Sequence, residues 1–237
     1  MQTATSPSDL PEDLAALSPV ERWTRALAAL RKIVANPDDT GQVLVFTSLI
    51  NTGRSTGARL ERFFADPDAR KLYDEHRAID SRTVDLDALA ALPEGTLGHA
   101  YATFLRSRGL TPEVFDGPPK GVSDPRLSYV IQRMRQTHDL WHVVTGCQTD
   151  PAGEIALQAF TFAQVRAPGN AILVAAGVLR GVRQKPGLVR DVIALYRAGA
   201  RARRLPSFAW EDHWATPLTE VRAMLGLPVE PPARAAA

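Results

Sequence analysis

The chain has a single cysteine, Cys147, among 237 residues. That excludes an internal disulfide and suits a reducing compartment. A small buried core residue is its expected role, despite its nearness to two histidines. An excess of one charge sign is also missing. With 28 Lys and Arg against 26 Asp and Glu, the net charge of +2 is too slight to argue for nucleic acid. No apolar run reaches the ~20 residues that a membrane-spanning helix needs. Met1 to Pro19 is polar, acidic and proline-spaced, unlike a secretory leader. Neither an internal repeat nor a second-domain linker is evident. The composition, 45% hydrophobic and 23% charged, is that of an ordinary globular domain with a sizeable core.

Residues 1–17 read as a flexible tail and 228–237 as a loose end, leaving one domain over 18–227. Ser18-Pro19-Val20-Glu21 is a capping box with proline at the first helical position, and Asn36-Pro37 stops the helix it opens. Val43–Ile50 is rich in strand-favouring residues, but no partner strand is evident, so a buried helix is expected. Asn51–Gly57 reads as a plain loop. Helices follow at 58–65, 68–78 and 85–92, then from a Thr96 cap to about Gly109. The proline- and glycine-rich stretch 111–123 is a loop, a place where a gate over a pocket could lie. Ile155–Val165 and Asn170–Val182 are apolar nearly all round and therefore central. Thr216-Pro217 caps a last helix. The expected fold is all-α, a single-domain bundle of about eight to ten helices.

Over 188–205, Arg190, Arg197, Arg201 and Arg204 fall on one helical stripe, opposite Leu188, Val192 and Leu195. A basic amphipathic helix of this kind can lie against an anionic membrane surface, and is otherwise a solvated face.

The chemistry concentrates in His138-Asp139-Leu140-Trp141-His142 and, after eleven intervening residues, in Glu154. Four residues apart on a helix, the two histidines point to the same side. Leu127, Val130, Ile131, Met134 and Trp141 set the apolar stripe, which places both imidazoles on the buried face. This is metal-pair spacing, as in HExxH zincins. Asp139 can close the site from its edge or orient an imidazole. The break Thr149-Asp150-Pro151-Ala152-Gly153 lets Glu154 fold back toward the histidines. Ligation by N, N, O and O suits zinc or another borderline divalent ion. A pair of core histidines held by Asp139 and a backbone carbonyl would give the same local pattern. His99, just off its helix's apolar face, is expected to be packed rather than ligating.

His138-Asp139-x-x-His142 with Glu154 resembles the signature of the fourth numbered coenzyme Q biosynthesis protein, the Coq-four family. Leu92-Pro93-Glu94-Gly95-Thr96-Leu97-Gly98-His99-Ala100-Tyr101 is similar to that family's "LPxGTLGxAY" segment. Gln136-Thr137, Thr145-Gly146, Gly153 to Phe160 and the tail from Trp210 to Leu227 also resemble the family. The resemblance implies a metal held by His138, Asp139, His142 and Glu154, with zinc the expected ion, and catalysis at these four residues. It implies oxidative decarboxylation of a polyprenylated hydroxybenzoate-type ring, with carboxylate loss and hydroxylation at the same carbon. The expected partners are an isoprenoid lipid in an apolar tunnel, quinone-biosynthesis enzymes and a second copy of the chain in a homodimer. The expected place is the cytoplasm, peripheral to the inner face of a membrane. The alternative is a non-catalytic lipid-binding scaffold with a structural metal. A metal-dependent hydrolase is weaker, because no separate general base accompanies the ligands.

Overall fold

Proline and a short polar cap open the three longest helices, behind Ser18, Asp124 and Asp150. The computed structural model describes residues 14, 16–36, 39–52 and 55–230. Among these, eleven α-helices and three short 3-10 turns occur and no strand, so the all-α expectation holds with slightly more helices than foreseen. The helices are α1 (Pro19–Ala35), α2 (Thr40–Asn51), α3 (Thr56–Phe64), α4 (Pro67–Asp74), α5 (Leu86–Ala90), α6 (Leu97–Arg106), α7 (Pro125–Thr145), α8 (Pro151–Val165), α9 (Pro168–Gly181), α10 (Leu188–Arg201) and α11 (Leu218–Met224).

The Ser18–Glu21 capping box forms as read, with Glu21 N–H donating to Ser18 Oγ and Ser18 N–H to Glu21 Oε2. Val43–Ile50 is helical, and Val45, Phe46, Leu49 and Ile50 are buried in a core shared with Ala26, Ala29 and Leu173. Leu14 joins that core, its N–H bonded to Gly121 O at 3.1 Å, so residue 14 is docked. The remainder of the foreseen tail before Ala16, the end after Glu230, and Gly53 and Arg54 of the foreseen loop lie outside the described residues.

Four boundaries depart from expectation, each for a local reason. The fourth helix stops at Asp74, because His76 turns left-handed (φ 53°) and Arg77 N–H returns to Leu72 O. The helix from Thr96 stops at Arg106, with Gly109 left-handed just beyond. α10 stops at Arg201, since the Leu205 N–H is taken by Gln164 Oε1 and Pro206 has none to give. Arg204 therefore leaves the stripe and donates to Arg62 O, while Arg190, Arg197 and Arg201 stay exposed. Thr216 does not cap α11 with its side chain; Leu218 N–H goes instead to Gly95 O at 2.8 Å.

The main core joins α6, α7, α8, α10 and α11 through Tyr101, Leu105, Leu140, Trp141, Leu157, Phe160, Leu195, Trp210 and Val221, all buried. α8 sits at its centre, as its all-round apolar sequence required. α10 can approach it closely because residue 199 is glycine: a Cβ there would lie 2.7 Å from Phe160 O. α11 docks behind α7, where Arg222 donates to Val144 O at 2.9 Å and Val143 O at 3.0 Å. Arg133, buried within α7, forks onto Glu211 and Phe208 O.

No helix among the described residues is long and apolar enough to cross a membrane.

Candidate metal centre

Two local signals bring the site together. Asp124 caps α7 by accepting from Leu127 N–H at 2.9 Å, with Pro125 in the first turn. α7 ends at Gly146, whose φ of 69° is the left-handed conformation glycine adopts without cost, and Gly146 N–H closes on His142 O. Asp150 then caps α8 by accepting from Gly153 N–H at 2.6 Å. The turn between the two helices delivers Glu154, in the first turn of α8, onto His138 and His142.

One ligating atom each from His138, His142 and Glu154 lie within 4.8 Å of one another. His142 Nε2 is 3.1 Å from Glu154 Oε1, and His138 Nε2 is 4.0 Å from Glu154 Oε2. The far nitrogen of each ring is already engaged. His142 Nδ1 lies 3.0 Å from Cys147 O; since a carbonyl only accepts, Nδ1 carries the proton. His138 Nδ1 faces Asp139 Oδ1 at 3.4 Å, where the carboxylate is likewise the acceptor. Both Nε2 lone pairs are thereby turned toward the Glu154 carboxylate. His142 Nε2 is buried and has no hydrogen-bond partner. Two lone pairs and a carboxylate converging without a donor among them fit a cation, with Zn–N and Zn–O lengths of about 2.0–2.2 Å. Cys147 itself is buried and contributes its carbonyl, not its thiol.

The expectation that both imidazoles are buried is half right. His142's side chain is 1% exposed and His138's 37%. Four residues advance a helix by about 40° beyond one turn. His142 therefore enters the core, stacked on Phe104 at 5.5 Å, while His138 stands at the rim beside Glu154. Of the four expected ligands, the structure groups three. Asp139 is turned to His138, the orienting role of the two that its position allows. Burial opposes charge on His138, but Asp139 and then Glu154 outweigh it and hold its pKa above the usual value. Burial pushes Glu154 up, yet His142 and then His138 pull it below the usual carboxylate range.

Tyr101 was not singled out from the sequence as a site residue. Its hydroxyl is buried, makes no hydrogen bond, and is pushed well above the usual phenol range by burial and then by Asp139's charge. The signal lay in the Thr96–Tyr101 segment, which brings it onto the inner face of α6. His99 is not among the converging atoms. It lines an open cleft of about 420 Å³ with Phe104, Arg108, Cys147 and the other flank of His142. That cleft is not the foreseen apolar tunnel.

Comparison with known proteins now decides the family. The model described as "Coenzyme Q (ubiquinone) biosynthesis protein Coq4" matches residues 12–231. The chain belongs to the Coq4 family. Among curated Coq4 relatives, "Ubiquinone biosynthesis protein COQ4 homolog, mitochondrial" of Danio rerio is 36% identical over 184 residues, 76% of this chain and 67% of that one. The corresponding Coprinopsis cinerea protein is 32% identical over 176 residues, 73% of this chain and 60% of that one. The chain spans about 60% of the length of the first curated relatives it matches. A crystallised candidate ubiquinone biosynthesis protein from Nostoc punctiforme shares this fold. Its TM-score is 0.69 at 28% identity, covering 86% of this chain and 97% of that one. The family description and the names of these curated relatives refer to ubiquinone biosynthesis. The Danio rerio and Coprinopsis cinerea relatives are named mitochondrial, and they lend no support to the expected cytoplasmic location.

Proposed function

We propose that this chain is a metal-dependent enzyme that removes the carboxylate from, and hydroxylates, the ring of a polyprenylated hydroxybenzoate-type precursor. The observation that carries the reading is the convergence of His138 Nε2, His142 Nε2 and Glu154, with each imidazole's other nitrogen already engaged. Three protein donors, rather than four, suit a site that keeps a position for substrate. His138 and Glu154, each with 37% of its side chain exposed, form the rim through which a ring would approach.

A bound divalent ion, zinc being the expected one, supplies positive charge that steadies an electron-rich ring as carbon dioxide leaves. The side chains do the rest of the work within reach. Asp139 keeps the proton on His138 Nδ1, Cys147 O keeps it on His142 Nδ1, and Phe104 and the core fix the His142 ring. The hydroxylation needs an oxidant that these side chains do not supply. The isoprenoid tail would follow the apolar flank of α7 and α8. Exposed Arg190, Arg197 and Arg201 on α10 support contact with an anionic lipid surface.

The test joins metal analysis to turnover. Purified protein should hold close to one divalent ion per chain, and His142→Ala and Glu154→Ala should each lose it. In cells lacking their own version of this step, the parent should restore the decarboxylated, hydroxylated ring and both variants should not. Full restoration by metal-free variants would favour the lipid-binding scaffold.

A further inference from the structure

Large apolar side chains gathered on a surface mark a place of contact, and the end of the α9–α10 hairpin carries four of them. α9 ends at Gly181, the chain turns with Lys185 N–H on Gly181 O at 2.9 Å, and left-handed Gly187 (φ 95°) opens α10. A Cβ on Gly181 would lie 2.9 Å from Leu188 Cδ2, so the two helix ends are held together. Around this end Leu179 is 79% exposed, Val182 44%, Val189 42% and Ile193 45%. Leu179 and Val182 are three residues apart, Val189 and Ile193 four, so each pair shares one side of its helix. The inward sides are already filled: Leu173, Leu188 and Leu195 are buried in the core.

The charge around the four is one-sided. From Leu179 to Arg201 there are six cationic residues and a single carboxylate, Asp191, which lies 3.6 Å from Arg190. Arg183 and Arg190 are exposed beside the apolar side chains. Anionic headgroups above hydrocarbon match this pattern at both depths. Apolar side chains enter the acyl boundary while the cations stay among the phosphates.

The hairpin end also sits beside the metal centre. Lys185 Nζ lies 3.6 Å from Asp150 Oδ2, and Asp150 caps α8 just ahead of Glu154. Gly177 rests on Ile155, the residue after Glu154; a Cβ there would be 2.5 Å from Ile155 Cγ1. One end of the bundle therefore carries both the apolar tip and the rim of the triad.

We propose that the α9–α10 hairpin end is a membrane-insertion tip. Leu179, Val182, Val189 and Ile193 enter the headgroup–acyl boundary of an anionic bilayer, and Arg183 and Arg190 hold its phosphates. The insertion brings the rim at His138 and Glu154 to the membrane surface. Its purpose rests on the ring-directed function proposed above, since a polyprenylated ring resides in a bilayer.

The experiment sediments the full chain with two kinds of vesicle, pure phosphatidylcholine and an equal mixture with phosphatidylglycerol. The parent should bind the mixed vesicles and bind the neutral ones far more weakly. The double variant Leu179→Ser/Val182→Ser should bind the mixed vesicles at least about tenfold more weakly. Arg183→Gln/Arg190→Gln should weaken binding as well, by a factor that shrinks as salt rises. Circular dichroism checks that each variant folds, and Val189→Ser/Ile193→Ser repeats the test from α10. A parent that ignores mixed vesicles, or folded serine variants that bind like it, overturns the tip. If the parent ignores vesicles and a dimer of it dissociates in the serine variants, the face lies between two copies instead. Turnover is read separately: vesicle binding without decarboxylation of a prenylated ring sinks the enzyme function and leaves the tip standing.

Discussion

A Cβ on Gly153 would lie 2.1 Å from the carbonyl oxygen of Gln148. No real pair of atoms tolerates that approach, and the obstacle is backbone rather than a movable side chain. The first turn of α8 therefore closes on the α7–α8 turn only with glycine at this place, and Glu154 is the next residue. Gly153→Ala should destabilise the fold by about 3 kcal/mol or more and displace Glu154 from the histidines. Chemical denaturation and metal analysis check both effects. An alanine variant of parental stability and metal content would show that the turn can relax.

Asp139→Asn tests orientation apart from ligation. An amide of the same shape can meet His138 Nδ1 but brings no charge and can turn its nitrogen toward the ring. The variant should fold, and its metal affinity should fall by roughly 10–100-fold, a smaller loss than His142→Ala produces. Competition with a metal chelator measures the difference. Complete loss of metal at saturating ion would make Asp139 a direct ligand.

Acid stability should depend on Asp80, whose residue is 1% exposed. The hydrogen bond from Arg82 first, with the Arg82 N–H and Arg82's charge, holds its carboxyl below the usual range against the opposing effect of burial. A carboxylate whose pKa is lower folded than unfolded adds stability above its unfolded value, about 3.9, and loses it as pH falls through the folded value. Asp80→Asn should thus lower stability at neutral pH and flatten its decline below about pH 4. Urea midpoints across that range report it. Parallel curves for parent and variant would count against the linkage.

Much of the site was legible because its signals are local. The Ser18–Glu21 box, Pro125 and Pro151, Gly146, and the four-residue histidine spacing each act within a turn of helix, so sequence alone carries them. What escaped depends on distance or on angle. The offset of about 40° between His138 and His142 decides which ring is buried, and spacing read as "same side" hides it. Asp139 could have turned either way until His138 Nδ1 was seen beside it. Arg133's partner Glu211 lies 78 residues away, and Leu218's acceptor is the carbonyl of Gly95; neither pairing leaves a trace in local pattern.

The grip of Arg222 on Val143 O and Val144 O ties the last helix to the one that carries both histidines. Linkage makes such a tie reciprocal: an ion that steadies the end of α7 also favours the docked α11, and a docked α11 favours the ion. Loading the triad should therefore slow amide exchange around Val221 and Leu225, far along the sequence from any ligand. The chain's closing segment would then register, from outside the site, whether the metal is in place.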